Sequence, residues 1–259
     1  MSALVPASRD MLSALPLEVA PRLLGGVLRV RLRDDVDAGE DGVAGEDGDI
    51  RGAARARAVP GARAVPGARG VGGTVTVAVR ITEVEAYHGA GTGDVPDPGS
   101  HARMGRTARN ATMWGEAGHL YVYLSHGIHS CVNVVCGPEG LAGGVLLRAG
   151  EIVEGQDAAM RRRPAARSTR DLARGPGRLG DAVGLRHPRH DGIDAVTGAE
   201  QAGAAARLWL PAAPVPAVAT GPRVGVAGVA GTDAFPWRFW IAGDPTVSAF
   251  RWGRGARPE

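Results

Sequence analysis

The chain reads as a mixed fold of short strands and short helices. Three observations predict it: runs in which apolar and polar residues alternate, glycine and proline signals that start and stop helical stretches, and enough residues to bury one sizeable core. Its 259 residues suit one large domain or two small ones, and 44% hydrophobic with 22% charged residues is an ordinary globular balance. With 40 glycines and 18 prolines the chain must turn often, so long coiled coils and collagen are excluded. No stretch approaches the roughly 20 apolar residues of a membrane span. Met1 to Ser13 lack the basic start and apolar run of a secretory signal, so a cytoplasmic location without a membrane partner is expected.

In chain order, Leu12, Leu15, Val19, Leu23 and Leu24 have partly helical spacing that stops at Gly25-Gly26, and Pro16 and Pro21 keep any helix there short. Leu28, Val30 and Leu32 alternate with Arg29 and Arg31 as a strand, and Thr74 to Ile81 reads as the next. Between them lie eight acids within 34–50, five arginines within 51–69, and Ala-Arg-Ala-Val-Pro-Gly at 56–61 repeated at 62–67. A stretch at about 34–72 thus reads as a disordered, low-complexity insertion that expands one hairpin connection within a single domain spanning 1–259. It is either a solvated loop or an acidic segment that competes with a polyanion for a basic face. One helix is expected near 151–163. Another should begin at Gly175-Pro176-Gly177-Arg178-Leu179, where proline suits the first turn and free N–H groups can receive a phosphate.

The formal charge is +3, but outside residues 34–70 25 arginines face 19 acids, so the remainder is more basic and favours a polyanionic partner. All basic side chains are arginine. Without lysine, a lysine Schiff base and a P-loop lysine are both excluded. Cys131 and Cys136 are too few for a cysteine-rich metal site or a disulfide framework.

From Thr74 the odd positions read Val75, Val77, Val79, Ile81, Glu83, Glu85, Tyr87, so an apolar strand face runs into two carboxylates and a tyrosine. Either the strand emerges into solvent at Glu83, or a carboxylate sits inside, where desolvation makes Glu83 or Glu85 a better base. Further on, two alternating segments flank His126-Gly127, a plausible tight hairpin turn. One arm would turn Tyr121, Tyr123 and Ser125 to one face, the other Cys131, Asn133 and Val135. Such a hairpin is either simply half-buried or forms a slot that stacks a flat ring and reads its edge.

His126 and His129 with Cys131, or His187 and His190 with Asp191, have no recognisable metal spacing, so no metal or other cofactor is expected. Arg103, Arg106, Arg109 and Arg178 are either solvated or contact successive phosphates. Stacking residues, a buried acid, a projecting hairpin and a basic rim together describe a base-flipping enzyme.

Glu83-Val-Glu85-Ala-Tyr87, Ser100-His101-Ala, Gly105-Arg106-Thr107-Ala-Arg109-Asn110-Ala-Thr-Met113-Trp114, Gly118-His-Leu-Tyr121-Val-Tyr123, Cys131-Val-Asn133 and Val145-Leu-Leu-Arg148-Ala follow one another in a characteristic order. So do Gly175-Pro176-x-x-Leu179, Pro222-Arg223-Val224-Gly225 and Trp237-Arg-Phe-Trp-Ile-x-Gly-Asp-Pro-x-Val-Ser248. In order and spacing these motifs resemble the alkyladenine (3-methyladenine) DNA glycosylase family, over nearly everything except the insertion.

The resemblance implies an α+β fold: a single mixed domain with a curved antiparallel sheet flanked by helices and a protruding β-hairpin. It also implies a monomer that acts on double-stranded DNA and excises alkylated purines. Position by position, Glu85 resembles the general base that activates water, and Arg148 and the Val224 carbonyl would help hold that water. Tyr87, His101 and Tyr123 would sandwich the flipped base, and Asn133 would face the edge where guanine carries its 2-amino group. Arg106, Arg109, Gly177 and Arg178 resemble backbone-contacting positions.

A purine alkylated at N3 or N7 is cationic, so it stacks well on tyrosine and leaves without much acid assistance. The absence of lysine implies no strand cleavage through a Schiff base, leaving an abasic site. The hairpin tip departs from the family pattern: where a tyrosine commonly fills the space of the flipped nucleotide, this chain has His126, with His129 at the neighbouring aromatic position. Histidine is smaller and titratable, which implies a weaker, pH-dependent wedge. Trp114 stands where phenylalanine is frequent, which reads as packing. A damage-binding module without catalysis and a metal-dependent hydrolase are the competing classes; Glu85 with Arg148 speaks against the first, and chelator insensitivity would separate out the second.

Overall fold

A computed structural model describes residues 3–33 and 73–257; the insertion expected at about 34–72 lies outside them. The strands are β1 (Leu4–Pro6), β2 (Val27–Arg33), β3 (Thr74–His88), β4 (Leu120–Ser125), β5 (His129–Val135), β6 (Gly143–Glu154), β7 (Ala173–Arg174), β8 (Ala204–Pro211), β9 (Val218–Gly221) and β10 (Arg238–Ile241). The helices are α1 (Arg9–Leu12), α2 (Pro16–Leu23), α3 (Gln156–Arg162) and α4 (Pro176–Val183). One sheet runs β1-β8-β2-β3-β6-β5-β4, with β10 also on β3, β9 on β10 and β7 on β6. Every strand pairing among the described residues is antiparallel, an α+β arrangement.

The alternation of Leu28, Val30 and Leu32 places those three in the core and Arg29, Arg31 and Arg33 outside. Strand β2 pairs with β3 from Val27 opposite Arg80 to Arg33 opposite Thr74. The two arms of the predicted hairpin are therefore joined in register on either side of the segment outside the described residues. Pro16 begins α2 and Pro21 lies inside it, so that helix stays at eight residues. Gly25, at φ 77°, turns the chain onto Ile81, whose carbonyl accepts its N–H at 2.8 Å.

The helix expected near 151–163 starts late. Residues Glu151 to Glu154 continue β6, with Ile152 buried between exposed neighbours, and Gly155 at φ 75° breaks the strand before α3 begins. Strand pairing prevails over the helix propensity of those four residues, because β3 offers a partner edge as far as Ala78. The second expected helix begins as foreseen, with Pro176 in its first turn.

Strand β3 carries the site. Its first half is held by β2, its second half by β10 on the same edge, and β6 pairs along the other. Register shifts at Ile81–Glu83 and Glu83–Val84 mark a bulge. Val77, Val79 and Ile81 belong to the main core, but beyond the bulge Val84 and Ala86 do. The expectation of one continuous odd-numbered face is thus corrected: the bulge inserts a residue and turns Glu83, Glu85 and Tyr87 to the opposite side of the sheet. That side is covered too, so Glu83 and Glu85 are fully buried and the strand does not emerge into solvent at Glu83.

Candidate active site

A cavity of about 540 Å³ opens on this second face of β3, lined by Glu85, Tyr87, His101, Tyr123, Asn133, Arg148 and Val224 among others. All seven residues expected to hold a base or a water line this one space, although they come from four strands and two connections. The β4–β5 register explains part of this: Tyr121 faces Asn133 and Tyr123 faces Cys131, so the predicted slot face forms. At its end His126 (φ 52°) and Gly127 (φ 72°) make the tight turn, closed by the Ile128 N–H to the Ser125 carbonyl at 3.2 Å.

The two candidate carboxylates separate here. Glu83 Oε1 accepts from Arg238 Nε at 2.6 Å and Arg148 Nε at 3.2 Å, and Oε2 accepts from the Ser248 N–H at 2.7 Å; it does not line the cavity. Glu85 Oε1 accepts from the Val224 N–H at 2.7 Å and pairs with Arg148 Nη1 at 3.3 Å, while Oε2 accepts from the Tyr87 hydroxyl at 2.8 Å. These donors give both oxygens of the buried carboxylate a hydrogen-bond or ion-pair partner. Arg148 bridges both acids; burial works to lower its pKa, but Glu85 and Glu83 outweigh that and the net direction is up, so its charge is fixed.

Burial pushes the Tyr87 phenol well above its ordinary value, with the Glu85 charge acting in the same direction. Tyr123 is likewise driven far up by burial, and Tyr121 to about 12. All three therefore stay neutral and offer ring surfaces. His101 meets Tyr123 edge-on at 4.6 Å between centroids, and Tyr123 stacks on Tyr121 at 5.4 Å. His101 and Tyr123 thus form one corner of the cavity, with Tyr87 as the separate surface. His101 is exposed overall, but partial burial of its ring at the cavity, followed by the Arg109 and Arg103 charges, lowers its pKa from the usual value.

The loop bearing these arginines is clamped by buried Asn110. Its Oδ1 accepts from the Thr107 N–H at 2.7 Å, and its Nδ2 donates to the carbonyls of His101 and Gly105 at 3.0 and 3.2 Å. Arg106 and Arg109 are exposed on that loop, and Arg109 Nη2 donates to the Leu124 carbonyl at 3.2 Å, tying the loop to the hairpin. Asn133 is buried, and its Nδ2 donates to the Tyr121 carbonyl at 3.1 Å. The Tyr121 hydroxyl, also at the cavity, has no hydrogen-bond partner among the described residues. Trp114 packs with Met113 and Tyr121 in a small second core.

A second cleft of about 750 Å³ adjoins the first and shares Ser125, His126, Cys131, Pro176 and Arg251 with it. Gly177 and Arg178 line it at the start of α4, together with His129, Arg163 and Arg167. Gly177 is small because α4 docks there on β5: a Cβ would lie 2.8 Å from that of His129. His187 ties the segment behind β4 to that strand, and His190 holds the segment's own turn. His187 Nδ1 bonds the Val122 carbonyl at 2.9 Å, and His190 Nδ1 accepts from the Arg186 N–H at 2.9 Å.

Three contributors escaped the reading of the sequence. Arg251 borders both spaces from a C-terminal segment without regular structure, Arg238 completes the Glu83 network, and Ile128, 72% exposed, is the apolar residue at the hairpin tip. Ile128 between two histidines carried a readable signal, since a bare apolar residue in a turn is out of place. Arg251 carried none.

A buried, arginine-bridged carboxylate under an aromatic cavity, beside a cleft rich in arginine, fits the family profile that the chain matches: the methylpurine-DNA glycosylase profile aligns with residues 61–245. The chain belongs to the methylpurine-DNA glycosylase family. It is accordingly a DNA-repair glycosylase, a hydrolase of N-glycosyl bonds. Relatives that carry 3-methyladenine DNA glycosylase in their names include one from Nocardia farcinica, 54% identical over 177 residues, which cover 68% of this chain and 79% of the relative. One from Leifsonia xyli is 43% identical over 252 residues, 96% and 94% of the two chains, and one from Streptomyces avermitilis is 50% identical over 175 residues, 68% and 78%. No helix among the described residues is long and apolar enough to cross a membrane.

Proposed function

We propose that this glycosylase draws an alkylated purine out of duplex DNA into the 540 Å³ cavity and hydrolyses its N-glycosidic bond with a water activated by Glu85, leaving an abasic site. The observation that carries the reading is the division between the two buried acids. Glu83 is saturated away from the cavity, whereas Glu85 stands in it beside Arg148 and the Val224 segment. In the mechanism Glu85 takes the proton of the attacking water and its charge stabilises the oxocarbenium-like sugar; Arg148 and the Val224 carbonyl orient that water. Tyr87 on one side and the His101–Tyr123 corner on the other enclose the base, with Asn133 at its edge.

Cationic 3-methyladenine and 7-methylguanine are the preferred lesions, because each leaves as a neutral base; hypoxanthine and ethenoadenine, neutral before cleavage, leave more slowly. Arg106, Arg109, Gly177, Arg178 and Arg251 receive backbone phosphates, and His126 and His129, with Ile128 between them, enter the duplex as the wedge. The test is release of free base from methylated duplex, with chelator present, by the wild type and by Glu85→Gln. Release by the wild type alone, with strands intact until alkali is added, is expected. Lesion binding without release by either protein would make the chain a damage-binding module and remove Glu85 from its role.

A further inference from the structure

We propose that the buried Arg223–Asp97 ion pair positions the Tyr87 wall of the base cavity and, by keeping the charge behind that wall near zero, lets it accept cationic purines. The proposal rests on the base-excision reading above.

The Arg223 guanidinium lies over the Tyr87 ring, 4.4 Å from its centroid, and also over Trp237 at 5.1 Å. Arg223 is fully buried and does not line the cavity, so it backs the wall on which a base would stack. It is held by a fork onto Asp97, at 2.9 and 2.7 Å, and donates to the carbonyls of Ala86 and Ala230, each at 3.1 Å. Asp97 in turn accepts from the Gly99 N–H at 2.9 Å, at the start of the turn that leads to His101. Val224, whose N–H fixes Glu85, follows Arg223 directly. One ion pair therefore joins three walls: the Tyr87 end of β3, the turn bearing His101, and the segment over Glu85.

Burying an ion pair is an inefficient source of stability, since desolvation consumes most of its attraction. Its charge balance has a further consequence at this place. The two faces of Tyr87 share one π system, so an uncompensated guanidinium behind the ring competes with a cationic base in front of it and repels that base through a poorly screened interior. Asp97 cancels that field. A neutral purine is indifferent to it.

The discriminating quantity is the ratio of affinities for two duplexes of one sequence, carrying cationic 7-methylguanine or neutral hypoxanthine. It is measured in a Glu85→Gln background so that the base stays attached. Asp97→Asn keeps the shape but leaves a net positive charge, and lowers the cationic-to-neutral ratio by ~10-fold. Arg223→Gln alone, with the opposite imbalance, raises it. The double variant Asp97→Asn/Arg223→Gln returns the ratio to the parent value while both affinities remain weaker, because the walls are less well held. Thermal melts identify variants that fail to fold, and whichever single variant folds decides the sign.

An unchanged ratio in a folded single variant, a ratio left shifted in the double variant, or no lesion-dependent binding by the parent overturns the proposal. Absence of base release by the wild type would overturn the proposed function instead, while the binding ratio would still decide this point.

Discussion

The floor and the rim of the cavity differ in how their charged groups are satisfied. On the floor Glu85 and Arg148, and beneath it Glu83 and Arg238, are buried and each has a partner at hydrogen-bond or ion-pair distance. At the rim, Arg106, Arg178, Arg251, His126 and His129 are exposed, and Ile128 is an apolar side chain left in water at the tip of a hairpin. The floor is complete without DNA. In the function proposed above, the rim receives the phosphates and base faces of the substrate.

The comparison is broken most severely at Glu85. Glu85→Gln should lower excision by about 10³-fold while melting and lesion binding stay close to wild type, since removal of a positioned base costs about 10² to 10⁴ in rate. Single-turnover base release measures it, and residual activity within tenfold of wild type would place the base elsewhere. The neighbouring acid should behave in the opposite sense. Glu83→Gln leaves Arg238 and Arg148 short of a counter-charge in the interior, for a loss on the order of 3 kcal/mol of stability. Its excision rate per folded molecule should fall far less than that of Glu85→Gln, and denaturant unfolding beside single-turnover kinetics separates the two effects.

A pH experiment probes the support behind the rim. Burial, with Arg189 and Arg186 adding to it, drives the His190 pKa down to about 4, and the ring is almost wholly buried while accepting the Arg186 N–H. A histidine depressed on folding stabilises the protein above its unfolded pKa, near 6.5, and loses that contribution as pH falls toward about 4. The loss over that window should be on the order of 2–3 kcal/mol. His190→Gln should flatten stability between those pH values; an unchanged slope would mean that other groups carry the acid lability.

Much of this contrast was legible in the sequence, and what was not has physical causes. The strand from Thr74 to Tyr87, the His126-Gly127 turn and the Pro176 helix start are local signals, set by side-chain period and by backbone freedom at glycine and proline. The β3 bulge is not local. It depends on how β6 and β10 pair with β3, so the pattern left Glu85 either inside or in solvent and continued it on the face of Val77 and Ile81 rather than on the opposite one. Motif order brought Glu85, Arg148 and Val224 together, yet Arg238 and Arg251 come from a C-terminal stretch whose arginines look alike until the fold separates the buried one from the exposed one. The same holds for Asp97, one acid in a glycine-rich turn, whose buried partner lies 126 positions away.

Two smaller effects sharpen the view of the rim. Arg251 has an exposed guanidinium between the two spaces, so Arg251→Ala should weaken binding to lesion and undamaged duplex alike and reduce the salt slope of log K by about one. A loss confined to lesion duplex would instead move Arg251 into base recognition. Titration of both duplexes across salt concentrations distinguishes these outcomes.

The hairpin tip carries the smallest expected effect. His126 sits at φ 52°, a left-handed conformation that histidine tolerates better than most side chains, and Ile128 beside it projects apolar surface. In His126→Tyr the larger ring stacks better in the space of an extruded nucleotide, so lesion duplex should bind about threefold more tightly. The positive φ charges its penalty to the folded protein, about 1 kcal/mol of stability, in free and bound forms alike and therefore not to the affinity. Ile128→Ala should move affinity the other way without that stability cost. If His126→Tyr leaves binding unchanged and Ile128→Ala weakens it, the side chain that fills the gap is the isoleucine, and His126 serves the turn on which it stands.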